Sequence, residues 1–318
     1  MFKPNYKVKI GETSYEPGQS NEIISIDTDF EINSPCTFDI ILANGVNPAK
    51  LKRGDDISIS LGYENNLKEI FRGIIDTVEP DISTIRISGL NGTSKLLSNR
   101  VNQLYEKQSA GKIAEDLASK CGVSKDAIEE GITFPMYVVD NTKTVYEHIL
   151  KLSEMCGFDF YLTTENKLVF RKYVKKTTHT YSYGKNIISH KITQTAPQHD
   201  SVDVYGESSS SFKGSETSHW LTKKNVAGKE GTGGGMFVHD LSIRDVDSAK
   251  NVAKATLAKI NKTATGIVKV PGNADIKLGD AIKIEDMPQT GMNGEFRVKR
   301  IHHKLSKNSG FTTEIEYI

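Results

Sequence analysis

Through residues 1–92 apolar and polar side chains alternate in short runs, broken by Gly, Pro, Asn and Asp. Residues 6–10, 22–30 and 36–42 are such runs, parted by Gly11-Glu12-Thr13 and by Asn33-Ser34-Pro35. A period of two with breakers at such even spacing predicts β-strands in a barrel or sandwich. Near Ser94 the period changes. Ile113, Leu117 and Cys121 recur every four residues, with Ala110, Ala114 and Ala118 beside them, and Gly122 is placed to end a helix. Residues 124–129 read as a further helical turn. Thr144 with Glu147 forms a capping box ahead of Val145, Ile149, Leu152 and Cys156, and Gly157 stops that helix. Residues 158–162 and 168–171 then flank the turn Thr164-Glu165-Asn166-Lys167, which predicts a hairpin.

β character returns in residues 178–183, 187–195 and 201–206. The stretch 207–235 reads as a flexible loop: it opens on Ser208 to Ser211, closes on Gly231 to Gly235 and holds Trp220, the single tryptophan. A last helix is predicted over 245–260, where Val246, Ala249, Ala253, Leu257 and Ile260 form a narrow apolar stripe.

One unit occurs twice. Residues 51–59 read LKRGDDISI and residues 276–284 read IKLGDAIKI. Asp280 lies 225 residues after Asp55, Phe296 the same distance after Phe71, and Arg297 after Arg72. A single ungapped register therefore aligns residues 51–78 with 276–303, and a small slip sets 84–90 beside 312–318. Gly54 and Gly279 stand where a tight turn needs positive φ, and the neighbouring Asp can bond a turn amide. The two aspartates could also be read as paired carboxylates of an acid–base site; Asp beside Gly is the commonest turn signal, and the turn is preferred. A duplicated β unit predicts two related β-barrels.

These readings give a first β-barrel domain at 1–98, an inserted α+β domain at 99–176, and a second β-barrel domain at 177–318 with one long helix near 245–261. The fold class is mainly β, two β-barrels flanking a small α+β insertion. A chain of 318 residues has room for two or three domains at ~100–200 residues each. Its 41 basic and 40 acidic residues leave no overall field to draw in nucleic acid or an anionic membrane. Cys36, Cys121 and Cys156 form no CxxC and suit a reducing compartment. The first residues lack the apolar core of a signal peptide, and no apolar run is long enough to span a bilayer, so synthesis in a cytoplasm is expected.

Catalytic and ligand motifs are weak throughout. The run 231–235 is not followed by Gly-Lys-Ser/Thr, so it is read as a loop and not as a phosphate cradle. His302 and His303 are adjacent and on a strand point to opposite faces. His199-Asp200 and His239-Asp240 lack the helical ligands of metal phosphohydrolases. Ser182 with Lys185 and Ser210 with Lys213 fit the acylating Ser-x-x-Lys spacing but fall in a turn and a loop. Cys156 lies on the apolar stripe of its helix, which favours packing over nucleophilic chemistry. The basic and aromatic run at 170–176 is read as a lysine-guarded edge strand in preference to a nucleic-acid contact. No catalytic residue, metal ligand or cofactor is assigned.

Three stretches resemble the phage late control protein D family of tail baseplate hubs, relatives of the hub portion of type VI secretion and other contractile injection spikes. They are FRGIIDTVEP with IRISGLNGTSKLLSNRVNQLY, then NTKTVYEHILKLSEMCGFDFYLTTENKLVFRK, then VKVPGNADIKLGDAIKI with GEFRVKRIHHKLSKNSGFTTEIEYI. The resemblance implies two barrels like tail-tube subunits, a homotrimer whose six barrels match a six-fold tail tube to a three-fold spike, and partners in the tube protein, a separate spike protein and baseplate wedge proteins. No cofactor, no specific nucleic-acid binding and no stable membrane insertion are expected. Family members that carry a spike or lysozyme-like extension have it after the second barrel; here the chain ends at Ile318, so the tip is expected on another protein. The eight repeat residues Gly54, Asp55, Phe71, Arg72, Gly279, Asp280, Phe296 and Arg297 are expected to shape the barrels. Competing readings are a tail-associated cell-wall hydrolase and a monomeric carbohydrate- or protein-binding module.

Overall fold

A computed structural model describes residues 3–18, 22–45, 47–206, 226–262 and 264–318. In the first half, β1 (Pro4–Ile10), β2 (Thr13–Tyr15), β3 (Ile23–Glu31), β4 (Thr37–Ala43), β5 (Asp56–Tyr63), β6 (Asn66–Pro80) and β7 (Thr84–Leu90) pair in the order β3-β4-β7-β6-β5-β1-β2. Alternate residues of these strands, among them Val8, Ile26, Phe38, Ile40, Ile59, Phe71 and Ile87, meet in one buried core. After helix α1 (Thr93–Ser98) the insertion supplies β8 (Gln103–Ser109), α2 (Ala110–Lys120), β9 (Lys125–Ile128), β10 (Thr133–Val139), α3 (Val145–Cys156), β11 (Asp159–Leu162) and β12 (Leu168–Arg171).

The caps follow the sequence signals. Thr144 and Glu147 form a reciprocal capping box on α3, and Gly157 ends that helix at φ 67°. Within residues 124–129 the chain forms strand β9 and not a helical turn. It runs parallel to β12, with Leu168 N–H donating to Ser124 O at 2.8 Å and Glu129 N–H to Phe170 O at 2.9 Å. The buried β12 backbone needs a ladder on both sides, and that outweighs a weak local preference for helix. For the same reason the run at 170–176 starts in the central strand of its sheet, not at an edge. The β8–β10 ribbon shows no period of two in sequence: β8, QLYEKQS, has few apolar residues, and β10, TFPMYVV, is apolar almost throughout.

The remainder comprises β13 (Thr178–Ser182), β14 (Ser189–Gln194), β15 (Ser201–Tyr205), β16 (Ala227–Gly231), β17 (Met236–His239), α4 (Val246–Ile260), β18 (Ala264–Pro271), β19 (Ala281–Glu285), β20 (Gly294–Ser306) and β21 (Gly310–Tyr317). Strands β14-β18-β21-β20 continue directly into β3 of the first half, with β13-β19 attached beside β20. The two halves thus form one thirteen-stranded sheet, whose path among the described residues runs from β14 to β2 without closing.

The division at 176/177 does not follow the packing. Val202, Val204, Val226, Ile243, Ala249 and Val252 share a core with α2, α3 and the insertion strands. Strands β15–β17 and α4 therefore belong with the insertion, while β13 and β18–β21 enclose the third core with Val268, Ile282, Ile301 and Ile315. Distant segments can share a core without leaving any local sequence signal. Trp220, Ser210, Lys213 and most of the 207–235 loop lie outside the described residues; Gly231 to Gly235 link β16 to β17.

Candidate functional site: the repeated unit and the seam between its copies

The repeated turn is built identically in both places. Gly54 has φ 91° and Gly279 φ 94°. Lys52 N–H donates to Asp55 Oδ2 at 2.9 Å, and Lys277 N–H to Asp280 Oδ2 at 2.9 Å. Each aspartate spends an oxygen on its own turn. Asp280 is 4% exposed and also accepts from Thr177 N at 3.3 Å and faces His179 Nε2 at 3.0 Å, tying β19 to β13. Asp55 is half-exposed, and only Asp280 lines the cleft described below, so the two carboxylates do not form one site.

Beyond the turn the correspondence shifts. Ile282 pairs with Phe296, whereas Ile57 pairs with Gly73. Asp55 O accepts from Ile75 N and Asp280 O from Val298 N. The ungapped register is therefore two residues off along β6 and β20. Two residues is one strand period, so every side chain keeps its face and the sequence match survives the slip. Both copies then carry the same bulge. Asp76 is skipped between Ile75–Gly89 and Thr77–Ser88, and Lys299 between Val298–Tyr317 and Arg300–Glu316.

Both copies also place an aromatic ring over a cross-strand glycine, with the roles exchanged. Phe38 of β4 covers Gly89 of β7, where a Cβ would come within 2.8 Å of the ring; Tyr317 of β21 covers Gly266 of β18, where it would come within 2.1 Å. Phe71 meets Phe38 edge-on at 5.3 Å between centroids, and Phe296 packs on Tyr317 at 4.4 Å. The arginines diverge. Arg72 pairs with Glu69 at the surface, whereas Arg297 reaches Asp159 of the insertion and lies 4.6 Å over Tyr173. Burial raises the Asp159 carboxyl above its usual range, and Arg297 pulls the other way.

The glycines give a direct test of this geometry. Alanine at either position meets the left-handed backbone penalty of about 1 kcal/mol. At Gly54 a Cβ meets nothing within 4 Å, but at Gly279 it comes within 2.9 Å of Tyr161 Oη, which donates to Leu278 O at 3.1 Å. Urea unfolding is expected to show a loss of about 1 kcal/mol for Gly54→Ala and roughly 2–3 kcal/mol for Gly279→Ala. Equal losses would contradict the assigned contact.

The halves join where β3 and β20 pair, from Arg300–Glu31 to Ser306–Ser25. One face of this seam is a ladder of opposite charges. Asp29 binds Arg300 at 2.7 and 3.0 Å, Asp27 meets His302 at 3.2 Å and Lys304 at 3.1 Å, and Lys299 meets Glu31 at 3.3 Å. Burial pushes the Asp27 carboxyl up, but His302 and Lys304 outweigh it and hold the group below its ordinary range. The other face carries the polar row Thr28–His303–Thr313 between Phe30 and Phe311. His303 is 1% exposed, and burial lowers its pKa to about 3, with the neighbouring His302 adding to the effect. Asn273 N–H donates to the Thr313 hydroxyl at 2.8 Å, and that hydroxyl lies 2.9 Å from His303 Nδ1.

His303, Phe30, Tyr161, Ile276, Leu278 and Asp280 line a cleft of about 450 Å³ where both halves meet the insertion. Among the described residues no group of three or more His, Cys, Asp or Glu could hold a metal. Burial raises the Cys156 thiol to about 11 and the Cys36 thiol to about 12, which suits packing and not nucleophilic chemistry. Among the described residues no helix is long and apolar enough to cross a membrane.

The fold defined by this seam and insertion is that of phage tail proteins. It matches the 43 kDa tail protein of prophage MuSo2 from Shewanella oneidensis (TM-score 0.76, 14% identity, 99% of this chain and 98% of that one). It matches a tail protein of Neisseria meningitidis MC58 (0.72, 14%, 99% and 96%). It also matches the c3393 protein of E. coli (0.64, 11%, 98% and 76%), described as a type VI secretion component structurally similar to T4 tail proteins gp27 and gp5. Residues 18–307 match the family model described as the Alg8 N-terminal domain, and the chain belongs to that family. No curated protein matches the sequence.

Proposed function

We propose that the chain is a structural baseplate hub of a contractile phage tail or related injection system, a trimeric adapter between a six-fold tail tube and a three-fold spike. One observation carries this reading. The chain holds two copies of one strand–turn–strand unit, with the same turn bonds, bulge and aromatic-on-glycine pair, in one continuous sheet. Three such chains offer six near-equivalent units on a three-fold axis, which resolves the symmetry mismatch without a second protein. The likeness of the fold to tail proteins supports it. The partners are two further copies, the tube protein, a separate spike and baseplate wedges. Assembly would follow synthesis in the host cytoplasm.

On this reading residues 1–98 and the strands β13, β14 and β18–β21 are the ring units, and the insertion with β15–β17 and α4 is an outer domain. The eight repeat residues act by holding the turns and the packing over the glycines, not by touching a ligand. Electron microscopy of the purified chain with its tube and spike proteins is expected to show three copies in a ring with six similar lobes. A two-fold or open-ended assembly would overturn the adapter, and release of fragments from purified peptidoglycan would favour a hydrolase.

A further inference from the structure

We infer that copies of this chain join by pairing β14 of one with the end of β6 of the next, in the register that joins the two halves within the chain. The inference rests on the hub reading and identifies the surfaces that reading needs.

The internal equivalences fix the surfaces. The shared bulge makes Lys299 equivalent to Asp76, so Arg300, His302 and Lys304 correspond to Thr77, Glu79 and Asp81. On the other side, Thr28 faces Phe38, which faces Gly89; Ile192 faces Gly266, which faces Tyr317. Gly89 and Tyr317 hold the same place beside the bulge. Strand β14 is therefore the second copy of β3, with Lys191 and Thr193 in the places of Asp27 and Asp29.

Within the chain β3 is paired with β20. Their counterparts, β14 and the end of β6, are both open: among the described residues β14 pairs only with β18, and residues 77–80 pair only with β7. Carrying the β3–β20 register over sets Lys191 opposite Asp81 and Thr193 opposite Glu79 of the next copy. The seam's Asp27–Lys304 pair thus recurs with its charges exchanged. Ile82, 94% exposed at the β6–β7 tip, comes beside the start of β14, where Ile188 is 55% exposed, so both would be covered.

The edge is also guarded. Asp81 N–H points to Thr84 O of β7 at 2.8 Å, so the intervening Pro80 falls on the open side and offers no N–H there. That limits pairing with unrelated strands. It also makes Glu79 and Thr193 a non-hydrogen-bonded pair, the closer kind and the one suited to a disulfide.

The test is the double variant Glu79→Cys with Thr193→Cys, oxidised and run on a non-reducing gel beside wild type and each single variant. Only the double variant is expected to give covalent dimers and a limiting band at three chains. In sedimentation, Lys191→Asp is expected to weaken association about tenfold, and Asp81→Lys in the same chain to restore it. Three-fold rings that neither cross-link nor respond to the charge exchange would overturn this edge assignment and leave the hub reading standing. A ladder running past three chains would support the pairing and overturn the ring. A chain that stays single even with tube and spike present would overturn both.

Discussion

Phe71→Ala is expected to destabilise the protein by ~3–5 kcal/mol, the range for emptying a fully buried aromatic site. The ring is 1% exposed and wedged between Phe38 and Phe30, at 5.3 and 5.8 Å between centroids. Its loss uncovers both the Phe38–Gly89 pair and the core below the seam. Phe296→Ala, at the partly exposed counterpart, is expected to cost less, roughly 2 kcal/mol. Urea unfolding followed by tyrosine fluorescence and far-ultraviolet circular dichroism would rank the two. The opposite order would mean that the aromatic packing is misassigned.

The second large effect is acid lability at the seam. His303 titrates near 3 in the folded chain against an ordinary 6.5. Between those values the unfolded chain binds the proton and the folded chain does not. Stability therefore rises with pH through that window and is lost as pH falls below about 6.5. At 1.36 kcal/mol per pH unit, about 2 kcal/mol should disappear between pH 7 and pH 5, with further loss toward pH 3. Protonation would place a full charge on a ring that is 1% exposed and packed between Phe30 and Phe311. His303→Gln removes the titration and is expected to flatten the unfolding free energy between pH 7 and pH 5. An unchanged slope would place the acid sensitivity elsewhere.

Much of this was legible in the chain itself. Period-two runs gave the strands of the first half, the capping box and Gly157 gave α3, and the two Gly-Asp turns gave the duplication, because each is a local rule written in neighbouring residues. The match at Phe71 and Phe296 showed the repeat even though their strand positions differ by one period, since a two-residue slip leaves the faces unchanged. His302 and His303 could be assigned to opposite faces, but nothing local said that one would meet Asp27 across the seam and the other be buried among aromatic rings.

What the sequence determined by itself was the type of most elements and the fact that one β unit is used twice; periodicity, caps and turn residues act over a few positions and need no partner. Only the tertiary structure decided that β3 and β20 fuse the halves into one sheet, that β15–β17 and α4 belong with the insertion, and that, among the described residues, β14 and the end of β6 each pair on one side alone. Strand pairing and shared cores join residues hundreds of positions apart, and backbone hydrogen bonds, which look the same for every residue type, leave no trace in the order of side chains.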